Sequence, residues 1–259
     1  MKKQEMMISP QYIATIALNI GKEILKCGGE IGRVEDTIER ICKAYGASRV
    51  DVFAITSLII LTVTTPDGRF ASNNNRIKEQ GTNLYLLEKL NALSREICHS
   101  TPPAEEVEAR VKEITQSHSG STWMSIVGGI LASGAFAVFF GGTLLDAIGA
   151  SIVSLIVWLV NSFKRPGANL VAYTVIISTL AGFSSICLVC AGIGTNVDKL
   201  MIGSIMLLIP GIGITNSMRD MLSGDIIAGM LRLAEVILVA CAIAIGFAIS
   251  MILLGGILK

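Results

Sequence analysis

The chain has 259 residues, a hydrophobic fraction of 52% and a net charge of +1, and its mean hydropathy is +0.65. A net charge near zero, without a basic arm, argues against nucleic acid as a partner. The high hydropathy favours a membrane protein instead.

The charged residues are unevenly distributed along the chain. Residues 1–120 contain 15 Lys/Arg and 15 Asp/Glu, whereas residues 121–259 contain six and five. This change in composition predicts a small soluble domain over 1–120, followed by a membrane domain over 121–259. No clean apolar run of a secretory signal follows Met1, so the soluble domain is expected to be cytoplasmic.

The soluble half shows the signals of a small α+β domain. Ser9 and Pro10 predict a helix start, and Gly28-Gly29 predicts its end. β-branched residues predict strands, with a turn at Thr65-Pro66-Asp67-Gly68. The further predicted elements are a helix at 31–45, strands at 50–55, 58–65 and near 69–73, and helices at 84–98 and 104–117.

The apolar half predicts five transmembrane helices, the fourth of them broken at Pro210-Gly211. Residues 200–214 alone are shorter than the roughly 20 that cross a bilayer. Proline lacks an N–H and its ring crowds the preceding turn, so the helix breaks there. In hydrocarbon, such a break persists only where protein or a water-filled cavity lines it. The predicted spans are 123–142, 144–163, 168–192, 200–218 and 226–256.

The basic residues predict the orientation. With the amino terminus inside, Lys164, Arg165 and Arg219 face the cytoplasm and Lys199 faces outward. The positive-inside rule favours this arrangement.

The broken span is followed at once by polar and charged residues, a pattern typical of transporter substrate sites. Arg219 is the group best suited to bind a carboxylate bidentately, and Asp220 is a candidate for pairing with Arg219 or for proton coupling. The alternative is an interfacial loop with a snorkelling Arg219. The predicted substrate or ion pathway comprises Pro210, Gly211, Thr215, Asn216, Ser217, Arg219, Asp220, Gly224 and Asp225.

Other charged residues allow two interpretations each. Asp146 and Glu235 are candidates for coupling, but Asp146 could mark the outer interface and Glu235 could pair with Arg232, three residues before it. Glu30, Arg33 and Glu35 could form a gating or docking surface, or Glu30 and Glu35 could simply stabilise a helix start. The sequence contains no catalytic motif or cofactor fingerprint, so neither an enzyme nor a cofactor is predicted. Cys187 and Cys190 have the C-x-x-C spacing, but no second pair or histidine lies nearby, which favours packing over a metal or redox role.

Three motifs resemble the threonine/serine exporter (ThrE) family, over nearly the whole chain. They are Gly29-Glu30-x-x-Arg33-Val34-Glu35, Phe139-Phe140-Gly141-Gly142, and Pro210-Gly211 followed by Asn216-Ser217-x-Arg219-Asp220-x-x-Ser223-Gly224-Asp225. The chain looks most like the YjjP-type subunit, which is similar to the amino-terminal half of full-length members.

The resemblance also implies where the chain works, with which partner and on which substrates. It implies a subunit in the bacterial inner membrane that works with a separate YjjB-type membrane subunit. A homo-oligomer is a further expectation for the chain. It implies export of threonine and serine, or of a dicarboxylate such as succinate. The alternative is a non-transporting membrane scaffold or sensor whose cytoplasmic domain binds a partner protein.

Overall fold

The computed structural model describes residues 9–78, 81–116, 122–163, 167 and 169–254. Within these ranges the chain forms ten α-helices and a three-stranded sheet. Contacts divide the chain into unit 1, which is Met1–Ser119 with Ile212–Leu233, and unit 2, which is Gly120–Gly211 with Ala234–Lys259. The sequence did not indicate that residues 212–233 group with the amino-terminal part.

Unit 1 begins with two helices that follow the predicted signals. α1 (Pro10–Lys26) is capped by Ser9, whose hydroxyl accepts a hydrogen bond from the Tyr12 N–H at 3.2 Å. α2 (Ile31–Ala44) follows after a short turn and ends before Gly46. Gly46 has a φ of +91°, a left-handed conformation that suits glycine after a helix.

The three strands form an antiparallel sheet in chain order. They are β1 (Arg49–Ile55), β2 (Leu58–Thr64) and β3 (Phe70–Arg76). β3 continues three residues beyond the prediction because it pairs with β2 over its full length, from Thr64 opposite Phe70 to Leu58 opposite Arg76. One face of β2 is fully buried.

α3 (Leu84–Ser100) and α4 (Ala104–Gln116) complete the amino-terminal part of unit 1. Its hydrophobic core takes residues from all four helices and from the sheet, and also includes Ala228 from the last helix. The fully buried large side chains of this core include Ile13, Ile16, Ile20, Ile24, Ile31, Ile38, Ile41, Ile59, Leu61, Leu90 and Ile97.

Unit 2 is built from long apolar helices. They are α5 (Thr122–Phe139), α6 (Leu144–Ser162), α7 (Leu170–Cys190), α8 (Val197–Leu208) and most of α10 (Ile226–Leu254). The core between α6, α7, α8 and α10 is formed by Val153, Val157, Ile177, Ala181, Ile186, Val197, Met201, Ile243 and Phe247. The ends of these helices lie within a few residues of the segments predicted as spans, and their placement in a membrane stays a prediction.

Small residues let helices of unit 2 approach closely. A Cβ placed on Gly203 of α8 would lie 2.6 Å from the Ser133 carbonyl oxygen of α5. The Ser133 hydroxyl donates to the Ala150 carbonyl of α6 at 2.8 Å. Close backbone contact of this kind is how small residues stabilise membrane helix pairs.

The predicted break lies at Ile209-Pro210. α8 ends at Leu208, α9 (Gly211–Leu222) begins after the proline, and the pair is bent by 51°. α5, α6, α7 and α10 are each long and apolar enough to cross a membrane, and the bent pair gives a fifth span if it counts as one.

Three parts of the predicted organisation stay predictions: the boundary at residue 120, the five-span membrane domain and the cytoplasmic amino terminus. Lys164 and Arg165, on which the orientation partly rests, lie outside the described residues.

Candidate functional site

The turn between α1 and α2 is the backbone part of the candidate site. Gly28 has a φ of +88°, and a Cβ on Gly29 would lie 2.7 Å from an Ile24 side-chain atom, so both positions require glycine. A helix start leaves backbone N–H groups without helical partners, and a helix end leaves carbonyls without them. The carbonyls of Gly28 and Gly29 and the N–H of Ile31 are such groups.

α9 supplies partners for two of these groups. The Asn216 Nδ2 donates to the Gly28 carbonyl oxygen at 2.9 Å. The Asp220 Oδ1 accepts from the Ile31 N–H at 3.1 Å. Asn216 and Asp220 are four residues apart and therefore share one helix face. This face of α9 thus binds the turn.

Arg232, near the start of α10, supplies the third partner. Its Nη2 donates to the Gly29 carbonyl oxygen at 3.0 Å. Its Nη1 lies 3.0 Å from the Asp220 Oδ2 in an ion pair that lacks hydrogen-bond alignment. Arg232 is 6% exposed and Asp220 is 2% exposed. The structure therefore contains a buried ion pair, and removal of one partner would leave an uncompensated buried charge.

Arg219 lies beside this pair but has a different partner. Its guanidinium forms an ion pair with the Glu30 carboxylate. The Arg219 side chain is 55% exposed and that of Glu30 is 22% exposed. The Arg219–Glu30 pair is thus accessible from solvent, whereas the Asp220–Arg232 pair is not. We call Gly28, Gly29, Glu30, Ile31, Asn216, Arg219, Asp220 and Arg232 together the turn cluster.

Two glycines shape the connection between α9 and α10. Gly224 has a φ of +101° and ends α9, and the Asp225 N–H donates to the Asp220 carbonyl oxygen at 2.9 Å. A Cβ on Gly229 would lie 2.7 Å from the Ser217 carbonyl oxygen. α10 can therefore lie directly against α9, with Arg232 one turn beyond the contact.

Glu35 and Asp225 extend the charged region. The Glu35 Oε1 accepts a hydrogen bond from the Ala54 N–H of β1 at 2.7 Å. Burial raises the pKa of Glu35, the Ala54 hydrogen bond lowers it, and the negative charge of Asp225 raises it again. The Asp225 Oδ2 lies 3.5 Å from the position of a Cβ on Gly32. The half-buried carboxylate of Glu35 thus lies near the carboxylate of Asp225, beside α2.

The other predicted pathway residues do not belong to the turn cluster. Ser217 is fully buried and donates its hydroxyl to the Ile214 carbonyl at 2.7 Å, and Thr215 is exposed on α9. Pro210 lies in the break between α8 and α9, and Gly211 is the first residue of α9, with its N–H donating to the Ile209 carbonyl at 2.9 Å. The pathway role of these residues stays a prediction.

Asp146 lies in unit 2, at the start of α6, where it is 1% exposed. It forms a capping box with Thr143. Its Oδ1 also accepts from the Thr195 N–H at 2.6 Å and from the Asn196 N–H at 3.0 Å. The carboxylate therefore joins two helix starts, as a capping residue does. The coupling role predicted for Asp146 and for Glu235, which is exposed on α10, stays a prediction.

The sequence identified most side chains of the turn cluster but not their partners. It offered Arg219 as a partner for Asp220. In the structure, Asp220 pairs with Arg232 and Arg219 pairs with Glu30. Successive helical residues point in different directions, so Arg219 and Asp220 do not face each other.

The apolar helices define the class of the chain, which is a multi-pass membrane protein. The model of the threonine/serine exporter family, ThrE, matches residues 15–254. The chain therefore belongs to this family of membrane exporters.

Curated relatives cover almost the whole chain at low identity. The chain is 22% identical over 245 residues to "Probable threonine/serine exporter" of Mycobacterium tuberculosis (strain H37Rv), with 92% of the chain and 46% of the relative covered. It is 22% identical to "Probable succinate transporter subunit YjjP" of Klebsiella aerogenes, with 94% of each covered. It is 20% identical to the protein of that name in Escherichia coli (strain K12), with 94% of the chain and 95% of the relative covered.

The chain thus spans about half the length of the mycobacterial relative and nearly the full length of the two YjjP proteins. No solved structure matches the chain.

Proposed function

We propose that the chain is one subunit of a bacterial inner-membrane exporter of small carboxylate-bearing metabolites. Its substrates would be succinate or another dicarboxylate, or threonine and serine. Membership of the ThrE family carries this proposal, because relatives that match almost the whole chain are named as an exporter and as transporter subunits.

The proposal includes a second membrane subunit of the YjjB type. The word "subunit" in the names of the YjjP relatives supports a partner.

We further propose that the Arg219–Glu30 pair is where the substrate carboxylate binds first. Arg219 is mostly exposed and already binds a carboxylate in this structure, so a substrate carboxylate could replace Glu30 at a guanidinium that is accessible to solvent. A guanidinium also favours the planar carboxylate geometry. The buried Asp220–Arg232 pair would keep α9 and α10 on the α1–α2 turn during this exchange.

Pro210 and Gly211 would form the deep part of the pathway, and Asn216, Gly224 and Asp225 would belong to its cytoplasmic entrance. Helix breaks in membrane transporters commonly lie beside the substrate path. The bend between α8 and α9 supports this assignment. Asp146 and Glu235 remain the candidates for proton coupling.

The alternative function is a membrane scaffold or sensor. Its supporting observation is that the polar groups of α9 contact the α1–α2 turn in this structure, so they could serve only to connect helices within unit 1.

Efflux measurements distinguish the two functions. Cells that carry the chain with its partner subunit should release succinate, threonine or serine, and cells that lack either subunit should not. Arg219→Ala should abolish the release at equal protein level. Arg110→Ala, which removes another arginine of unit 1 from an ion pair with Glu96, is the matched control and should preserve it. Release that is equal with and without the chain would reject the exporter and favour the scaffold.

A further inference from the structure

Unit 1 contains a groove between α2 and α3, which Glu30 and Asp220 of the turn cluster border on one side. Its volume is about 740 Å³, within the usual range for sites that bind small molecules. α2 contributes Arg33 and Arg40 at a seven-residue spacing, and α3 contributes Arg95. Residues seven apart lie on the same helix face, so these guanidinium groups border one open space.

The carboxylates that line the groove already have basic partners. Each is in an ion pair, and the pairs are Asp36 with Arg40, Glu30 with Arg219 and Asp220 with Arg232. Their negative charges are therefore balanced locally and contribute little net field within the groove.

Arg33 and Arg95 differ from the arginines of these ion pairs. Both are exposed, and among the described residues neither forms a hydrogen bond or ion pair with a side chain. Arginine remains charged at every physiological pH. The groove therefore carries two positive charges that no neighbouring carboxylate balances.

The remaining lining suits a small hydrophilic ligand. It includes Asn91, Ser94 and Ser223, which offer amide and hydroxyl groups. The described residues that line the groove include no Phe, Tyr or Trp, and His99 contributes the one ring side chain among them. Two guanidiniums separated across an open groove fit a ligand with at least two anionic groups.

We infer that the α2–α3 groove binds a small multivalent oxyanion, such as a di- or tricarboxylate, through Arg33 and Arg95. The ligand would bind to α2 and α3, next to the turn cluster and the predicted pathway, since Glu30 and Asp220 also border the groove. Binding here does not depend on whether the chain exports anything.

Calorimetric titration of the purified full chain in detergent tests this inference. The probes are succinate, citrate and inorganic phosphate, each at low and high salt. Binding should weaken as the salt concentration rises, because the contacts are charged. The comparison of citrate and succinate with phosphate shows whether the groove prefers carboxylates. If none of the three binds at millimolar concentration, the inference is wrong.

Variants then locate the site. Arg33→Gln and Arg95→Gln should each raise the dissociation constant of the best probe at least tenfold, and the double variant should abolish binding. Arg76→Gln removes an exposed arginine of β3 that does not line the groove and should change the constant less than twofold. Arg33→Lys and Arg95→Lys retain the charge and should give intermediate values. Unchanged affinity in the double variant would overturn the assignment.

Discussion

The carboxylate of Asp220 accepts a hydrogen bond from the backbone N–H of Ile31 at 3.1 Å, across 189 positions of the sequence. Glu30, the residue at the N-cap position of α2, makes no capping hydrogen bond of its own. A carboxylate from α9 therefore occupies the positive end of α2, where a negative charge is favoured. Because Arg232 pairs with the same carboxylate, one side chain joins α2, α9 and α10.

Asp220→Asn is expected to destabilise the protein. Asparagine can still accept from the Ile31 N–H, but Arg232 would lose its buried counter-charge. Loss of one partner of a buried ion pair costs about 3–5 kcal/mol. The measurement is the thermal unfolding midpoint of the full chain in detergent, which should fall by several degrees.

Two further variants test the cause of that loss. Asp51→Asn removes the carboxylate of the exposed Arg49–Asp51 pair and should leave the midpoint unchanged. Asp220→Asn combined with Arg232→Met removes both buried charges and should recover part of the loss. If the double variant has an unfolding midpoint as low as that of Asp220→Asn alone, the unpaired buried charge is not the cause of the loss.

Glu30→Gln is expected to increase the apparent affinity for the exported substrate. In the proposed mechanism the Glu30 carboxylate competes with the substrate for Arg219, so its neutralisation removes the competitor. The half-saturating intracellular concentration for efflux should fall severalfold, with little change in stability because the pair is accessible to solvent. Glu96→Gln, which disrupts the exposed pair with Arg110, is the control. An unchanged half-saturating concentration would show that Glu30 does not compete with the substrate for Arg219.

Local sequence signals predicted the helices and strands because each has a local physical cause. The Ser9 cap, the Thr65–Gly68 turn and the proline at position 210 act within a few residues, and the structure confirms all three. The extent of β3 was underestimated because it depends on pairing with β2. The partners in the turn cluster could not be predicted, because Ile31 and Asp220 meet only through tertiary packing.

Gly229→Val should separate α9 from α10. Its first side-chain atom would lie 2.7 Å from the Ser217 carbonyl oxygen and 2.9 Å from the Met221 backbone nitrogen, and backbone atoms cannot move aside cheaply. We expect a loss of about 1–3 kcal/mol from overpacking, seen as a lower unfolding midpoint. Gly128→Ala, at a helical position with no atom within 4 Å of the added Cβ, should be neutral or slightly stabilising. Equal midpoints for both variants would show that the close contact is unimportant.

Asp146→Ala should destabilise unit 2 more than Asp146→Asn does. The alanine leaves the N–H groups of Thr143, Thr195 and Asn196 without their acceptor, at a cost of about 1–3 kcal/mol for each group that stays buried. The asparagine retains one acceptor oxygen. Efflux and unfolding should be measured together, because a coupling role makes a different prediction: Asp146→Asn would then lose efflux with an unchanged unfolding midpoint.

The pH dependence of stability should reveal Glu35. Burial is the main cause that raises its pKa above the ordinary value of 4.5, with a smaller contribution from the charge of Asp225 and an opposing one from the Ala54 N–H. A group whose pKa is higher in the folded state stabilises the protein below the unfolded pKa and loses that contribution as pH rises through the folded pKa. Stability should therefore decline as pH rises above about 4.5, over the range in which Glu35 ionises. In Glu35→Gln this part of the decline should disappear, whereas Glu88→Gln, at an exposed position on α3, should retain it. The measurement is the unfolding midpoint between pH 4 and pH 8, and parallel curves for the wild type and Glu35→Gln would exclude Glu35 as the source.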